Sequence, residues 1–295
     1  MQDVSRFRLS PGDFEFVGKD LSRPECVVTE PDGSLWVSDN RGAATHIDAA
    51  GTQTLVGTMG GAPNGIAIDR QGRLCIANID HGCVYRMERD GRHEVLLDSF
   101  DGHTLGAANF VYFDTQDRLW VTVSTRTEPR IRAVREVIPD GYILMIDDRG
   151  PRCVAEGLCF TNEIRIDAAG RHLYIVETAR GCISRQALHP DGSLGPREAH
   201  GPVPVVPGGR IDGICFDAEG NLWATEITRN AIVIITPQGL AHTVFEDPEG
   251  RMLPFPSSIA FGGPDLRSAY VGSVRMDRVA CFRAPVPGAP MRHWQ

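Results

Sequence analysis

Six polar residues recur at one phase of the sequence: Glu25, Asn64, Asn109, Asn162, Asp212 and Ser257 each open a short β-rich run. Two carboxylates, three amides and a hydroxyl brought to one place would form a cradle of oxygen donors. Buried carboxylates without partners are strongly disfavoured, so such a cradle calls for a cation. Oxygen donors without His or Cys suit a hard ion, so one divalent cation is expected, Ca²⁺ first, with Mg²⁺, Mn²⁺ or Zn²⁺ behind it. Glu25, Asn109, Asn162 and Asp212 are the expected ligands. Four protein ligands leave positions for water and substrate, as metal-assisted hydrolysis requires, and Asp212 or Glu25 is then the expected general base. Each residue alone has a plainer explanation, because Asn and Asp are common at strand entries and Asn64-Gly65 is an ordinary turn signal. Recurrence in phase is what turn chemistry by itself does not produce.

The elements that would position these residues are visible in the same repeat. Each polar residue is followed by a β-rich run, a polar turn near Asp or Gly, and a second β-rich run, usually with an aromatic: Trp36, Trp120, Tyr174, Trp223 or Tyr270. That is a hairpin signature. The repeats begin near residues 25, 64, 109, 162, 212 and 257. Spacings of about 40 to 50 residues are those of a four-stranded propeller blade. Further strand candidates lie between the hairpins at 44–48, 83–87, 142–147, 181–187 and 231–236, and no long amphipathic helical stretch interrupts them. The expected fold is all-β: a single six-bladed β-propeller domain over 1–295, closed by residues 14–19 pairing with the last blade. The first strand of every blade lines the central channel, so the six strand starts meet at one mouth.

Composition narrows the partners. The chain is 42% hydrophobic and 23% charged with a net charge of -8, which argues against nucleic acid or an anionic membrane. There is no apolar run long enough for a bilayer and no charged-then-apolar leader at Met1 to Asp13, so a cytoplasmic location is expected. Its eight cysteines are scattered with no C-x-x-C pair, and they are expected to be reduced and structural.

From about Phe14 to Phe282 the chain resembles the SMP-30/gluconolactonase/luciferin-regenerating-enzyme (LRE)-like family, whose wider relatives include diisopropylfluorophosphatase-like and paraoxonase-like propellers. The resemblance is carried by the Glu25 repeat, FTN at Phe160 to Asn162, RIDGICFDAEGNLWATE at Arg210 to Glu226 and PSSIAFGG at Pro256 to Gly263. It implies a six-bladed propeller with one catalytic metal. It also implies that Glu25, Asn162 and Asp212 are ligands, that Asn109 is a ligand or substrate contact, and that Asp212 is the base. The chain departs from the family pattern in several places. Glu25 is followed by Cys26-Val27 where Gly-Pro is common, and Asn162 by Glu163 where Gly is usual. Ala107-Ala108-Asn109-Phe110 stands where sugar-lactone hydrolases resemble R-x-N-D.

Two residues before each ring member lie Arg23, Ala62, Ala107, Phe160, Arg210 and Phe255. This mixed apolar and cationic tier suits a partly apolar lactone or ester bearing a negative group. Asn109, Asn64, Arg210, Phe160 and His103 are the expected substrate-binding residues, His103 as a proton shuttle or an ordinary loop histidine. The insertion 124–141 carries Arg126, Arg130, Arg132 and Arg135, as either a lid or a solvated hairpin. The expected function is a metal-dependent hydrolase opening a small lactone ring. The alternatives are a phosphotriesterase or esterase of the same fold, or a non-catalytic binding module with a structural metal.

Overall fold

A computed structural model describes residues 4–294. Six four-stranded antiparallel sheets follow one another along the chain. Their inner strands are Val27–Thr29, Pro63–Ile68, Ala108–Phe113, Thr161–Ile166, Ile211–Phe216 and Pro256–Gly262, here numbered blades one to six. Glu15–Val17 forms the outer strand of blade six against Val279–Arg283, so the chain's start and end share one sheet. The arrangement is that of a six-bladed β-propeller.

The hairpins form because a carboxylate sits at each turn. Asp69 Oδ1 accepts the backbone N–H of Gln71 and of Arg73, each at 2.9 Å, and Asp114 and Asp217 make the equivalent bonds. Such bonds close an Asx turn. In two blades the same carboxylate also takes the indole N–H of the next strand, Asp114 from Trp120 and Asp217 from Trp223, while in blade one Asp32 accepts the turn N–H of Ser34 and Glu30 the indole of Trp36. The tryptophans are buried between neighbouring sheets, each with its one polar group satisfied.

Where an inner strand meets the mouth, the ladder slips by one residue. Register shifts fall between Pro63 and Ile66, Ala108 and Phe110, Thr161 and Ile164, Ile211 and Ile214, and Pro256 and Ser258. A bulge breaks the strict alternation of a strand and re-aims its side chains. Hydroxyls on the second strand take up the freed N–H groups: Ser38 accepts from Cys26, Thr122 from Phe110 and Thr225 from Gly213.

The far end of the channel is covered by the last segment of the chain. Gly288 lies so close to Phe261 that a Cβ there would come within 2.1 Å of it. His293 and Trp294 both bond to the Thr29 carbonyl at 2.7 Å. Beneath them remains a cavity of ≈ 90 Å³, lined in part by Tyr112, Arg165, Cys215 and Met291. Nothing in the repeat pattern pointed to this cover.

Candidate functional site

All six aligned positions are buried at the mouth. Asn64 is the junction between three blades: its Nδ2 donates to Glu25 Oε1 at 3.1 Å, to Asn109 Oδ1 at 3.1 Å and to the Asn109 carbonyl at 3.0 Å. Its Oδ1 accepts from Arg23 Nη2 at 2.7 Å. Across the ring, Asn162 Nδ2 donates to Asp212 Oδ1 and, at 3.1 Å, to Thr178 Oγ1. Ser257 donates to the Glu25 carbonyl at 2.7 Å, which fixes the backbone of a ring member and leaves Ser257 as lining.

Burial pushes the Asp212 carboxyl well up, and the Glu25 and Glu163 charges push it further. Glu25 is raised chiefly by burial, against the pull of Arg23. Two neighbouring carboxylates that resist ionisation together either hold a proton between them or are kept charged by a cation. Asn162 Oδ1 is buried with no hydrogen-bond partner, as are Asn40 Oδ1 and Gln186 Oε1 elsewhere; what sets Asn162 apart is that its amide lies against the Asp212 carboxyl. Among the described residues no three His, Cys, Asp or Glu side chains form a metal-binding group, so any cation here must rely on amide oxygens as well as on Glu25 and Asp212. That donor set fits a hard divalent ion.

A second layer lies beneath the ring, and sequence reading assigned it no role. Glu163 is buried, with Oε2 2.8 Å from Arg165 Nη2 and accepting the N–H of Ile214 at 3.2 Å. It thereby ties blade four to the strand carrying Asp212. A Cβ on Gly213 would come within 2.4 Å of the Ser257 carbonyl and 2.6 Å of Ser258 Cα, so glycine there lets blade six approach, and it also leaves Glu163 Oε1 its room at 3.1 Å. Burial pushes Glu163 up to about 7, opposed by Arg165. Arg165 lies 4.7 Å from the Phe110 ring centroid. The sequence signal was the Glu at a position where the resembled family carries Gly.

Around the mouth, Arg23, Phe160 and Phe255 occupy the tier above the ring with φ of 56, 54 and 51°. Arg210 braces the insertion: its Nε donates to the Val134 carbonyl at 3.1 Å. The insertion folds a short helix, Ile131–Arg135, that packs against the turn Thr178–Arg180. Arg130 pairs with Asp80 of blade two at 2.7 Å, so the segment reaches from blade two to blade five on the mouth face. His103 is not brought to the ring. It sits exposed on a small hairpin, Ser99–Phe100 with His103–Thr104, beside Arg126, Tyr142 and Glu156.

No helix among the described residues is long and apolar enough to cross a membrane. A 6-deoxy-6-sulfogluconolactonase from Pseudomonas putida is 27% identical over 67% of this chain and 64% of its own length. The pentonolactonase XacC of Haloferax volcanii is 26% identical over 70% of this chain and 65% of its own length. The matched region thus spans a little under two thirds of each curated relative. Among solved structures, regucalcin from Agrobacterium tumefaciens, described as a calcium-binding protein, superposes with a TM-score of 0.75 at 18% identity, covering 95% of this chain and 98% of that one. The family model for the SMP-30/gluconolactonase/LRE-like region matches residues 23–275, and the chain belongs to that family.

Proposed function

We propose that the protein is a divalent-metal-dependent lactonase. The observation that carries this reading is the unpartnered Asn162 Oδ1 beside Asp212 and Glu25, three side chains that a cation would satisfy together. The names of the two curated relatives support a lactone as substrate, and the calcium-binding neighbour supports a hard ion.

Glu25, Asn109, Asn162 and Asp212 would hold the ion. When bound, it supplies Lewis acidity that polarises a carbonyl and lowers the pKa of water. The chain's own residues do the rest. Asn64 holds Glu25 and Asn109 at a fixed separation through its three bonds. Asp212 accepts a proton of the attacking water as the oxygen bonds to the carbonyl carbon, and returns it to the ring oxygen as the ring C–O bond breaks, giving a hydroxy acid. Phe160 and Phe255 supply apolar walls, and the 124–141 segment limits water at the mouth.

Chelation is expected to abolish lactone hydrolysis, with Ca²⁺ or Mn²⁺ restoring it. Asp212→Asn should remain folded while kcat falls by about 10²–10⁴-fold. Hydrolysis that survives full chelation would remove the metal-dependent reading. A protein that binds Ca²⁺ yet leaves every lactone and ester intact would instead be a binding module.

A further inference from the structure

The arginines of this acidic protein are not paired evenly. Along the blades they meet carboxylates, as in Arg73 with Asp69, Arg118 with Asp114, Arg152 with Asp147 and Arg283 with Asp265. On the mouth face, Arg23, Arg126, Arg135, Arg180, Arg210 and Arg275 have no carboxylate within salt-bridge distance among the described residues. Two of them, Arg23 and Arg275, lie on adjoining segments at the seam of blades six and one. Arg23 is half-buried, bonded only to neutral acceptors, Asn64 Oδ1 and, at 3.2 Å, the Pro63 carbonyl. A guanidinium has five N–H groups, so donors remain. Arg275 Cζ lies over Phe255, 3.6 Å from the ring centroid. The segments carrying these two arginines adjoin, because Ser273 N–H donates to the Pro24 carbonyl at 2.8 Å.

The backbone gives a second, independent sign. In blades two and three the left-handed residue is a glycine one position earlier, Gly61 or Gly106, three residues before the ring member. In blades one, four and six the left-handed residues are Arg23, Phe160 and Phe255 themselves. Non-glycine residues enter that region at a cost, and observed strain of this kind clusters at ligand clamps. Here the strain places large side chains over the ring. Arg23 already acts on the Glu25 and Asp212 charges; a dication balancing those two carboxylates would free it for an added anion, and low-dielectric walls focus such a field.

Resting on the lactonase reading, we propose that the substrate is a lactone bearing an anionic substituent, carboxylate or sulfonate, held at the seam of blades six and one by Arg23 and the Arg275–Phe255 pair. Phe255 presents its other face to the substrate's carbon skeleton. Arg23 also links substrate charge to the ring through Asn64, so an anion seated there engages the cradle that holds Glu25.

The test compares D-glucaro-1,4-lactone with the neutral D-galactono-1,4-lactone on the Ca²⁺-loaded protein. The kcat/KM ratio of anionic over neutral lactone is expected to exceed one and to fall about 10–100-fold in Arg275→Met and in Arg23→Met, the loss of a charged hydrogen bond. Structural damage would lower both rates and leave the ratio in place. A ratio unmoved in both variants overturns the anion proposal and leaves the lactonase reading standing. If neither lactone is hydrolysed, titration calorimetry with D-glucarate decides. Salt-sensitive binding weakened in both variants sustains the anion site, while equal binding by wild type and variants ends it.

Discussion

At the scale of single residues, the cradle depends on an amide with no expected role as a ligand. Asn64 holds together Glu25 and Asn109, which lie on different blades, and is itself aimed by Arg23. Residues that orient metal ligands typically contribute 10–100-fold in affinity, and Asn64→Leu is expected to weaken Ca²⁺ binding by about that factor. Calorimetry on the chelator-stripped protein would show it; unchanged affinity would reduce Asn64 to channel lining. Sequence alone found Asn64 as one of six polar starts. Its partners could not be read there, because they sit 39 and 45 residues away.

At the scale of the element, the inner strands work as bulged strands whose loose N–H groups are met by the neighbouring strand. Thr225→Val leaves the Gly213 N–H without its acceptor and is expected to cost about 1–3 kcal/mol in urea unfolding. Beneath the bulges, the Glu163–Arg165 pair makes an opposite pair of predictions. Arg165→Met strands a buried carboxylate and should cost about 3–5 kcal/mol. The double variant Glu163→Gln/Arg165→Met keeps an acceptor for Ile214 and should recover most of that loss; a double variant as unstable as the single one would show that the pair's packing matters more than its charge. Just after the outer strand Glu198–Ala199 of blade four, His200 is buried against Tyr174 and held down to about 4 by burial and by Arg185. The unfolded chain takes up this proton below the ordinary 6.5, so stability is full above that pH and falls as pH drops from 6.5 towards 4. His200→Gln should flatten that slope in thermal melts. The bulges were not legible in sequence, since hydrophobic alternation fixes which face of a strand is buried but not where the ladder slips.

At the scale of the whole molecule, closure rests on the N-terminal strand and the aromatic residue that precedes it. Phe14 is buried between Phe245 of blade five and Phe282 of blade six, with ring centroids 4.6 and 5.6 Å away. Phe14→Ala is expected to cost about 3–5 kcal/mol and to lower Tm by about 10 °C, measured by calorimetry. A change of under about 2 °C would mean that closure relies on the backbone ladder of Glu15–Val17 instead. The repeat spacing made the six sheets readable, because each blade is built from neighbours in sequence. The cover formed by residues 286–294 was not, because it follows no period and gains its place only by crossing the far channel opening.

The sequence by itself determined the blade period, the hairpins and the phase at which polar residues open each inner strand. These follow from local physics: two-residue alternation, Asp-capped turns and aromatic residues at one offset. Tertiary structure decided which of those polar groups touch, the layer of Glu163 and Arg165 below them, the unpaired arginines above them, and the remoteness of His103. The physical reason is radial convergence. Residues 40 to 50 positions apart meet on the propeller axis, and the contacts made there depend on bulge positions and loop paths that no local periodicity records.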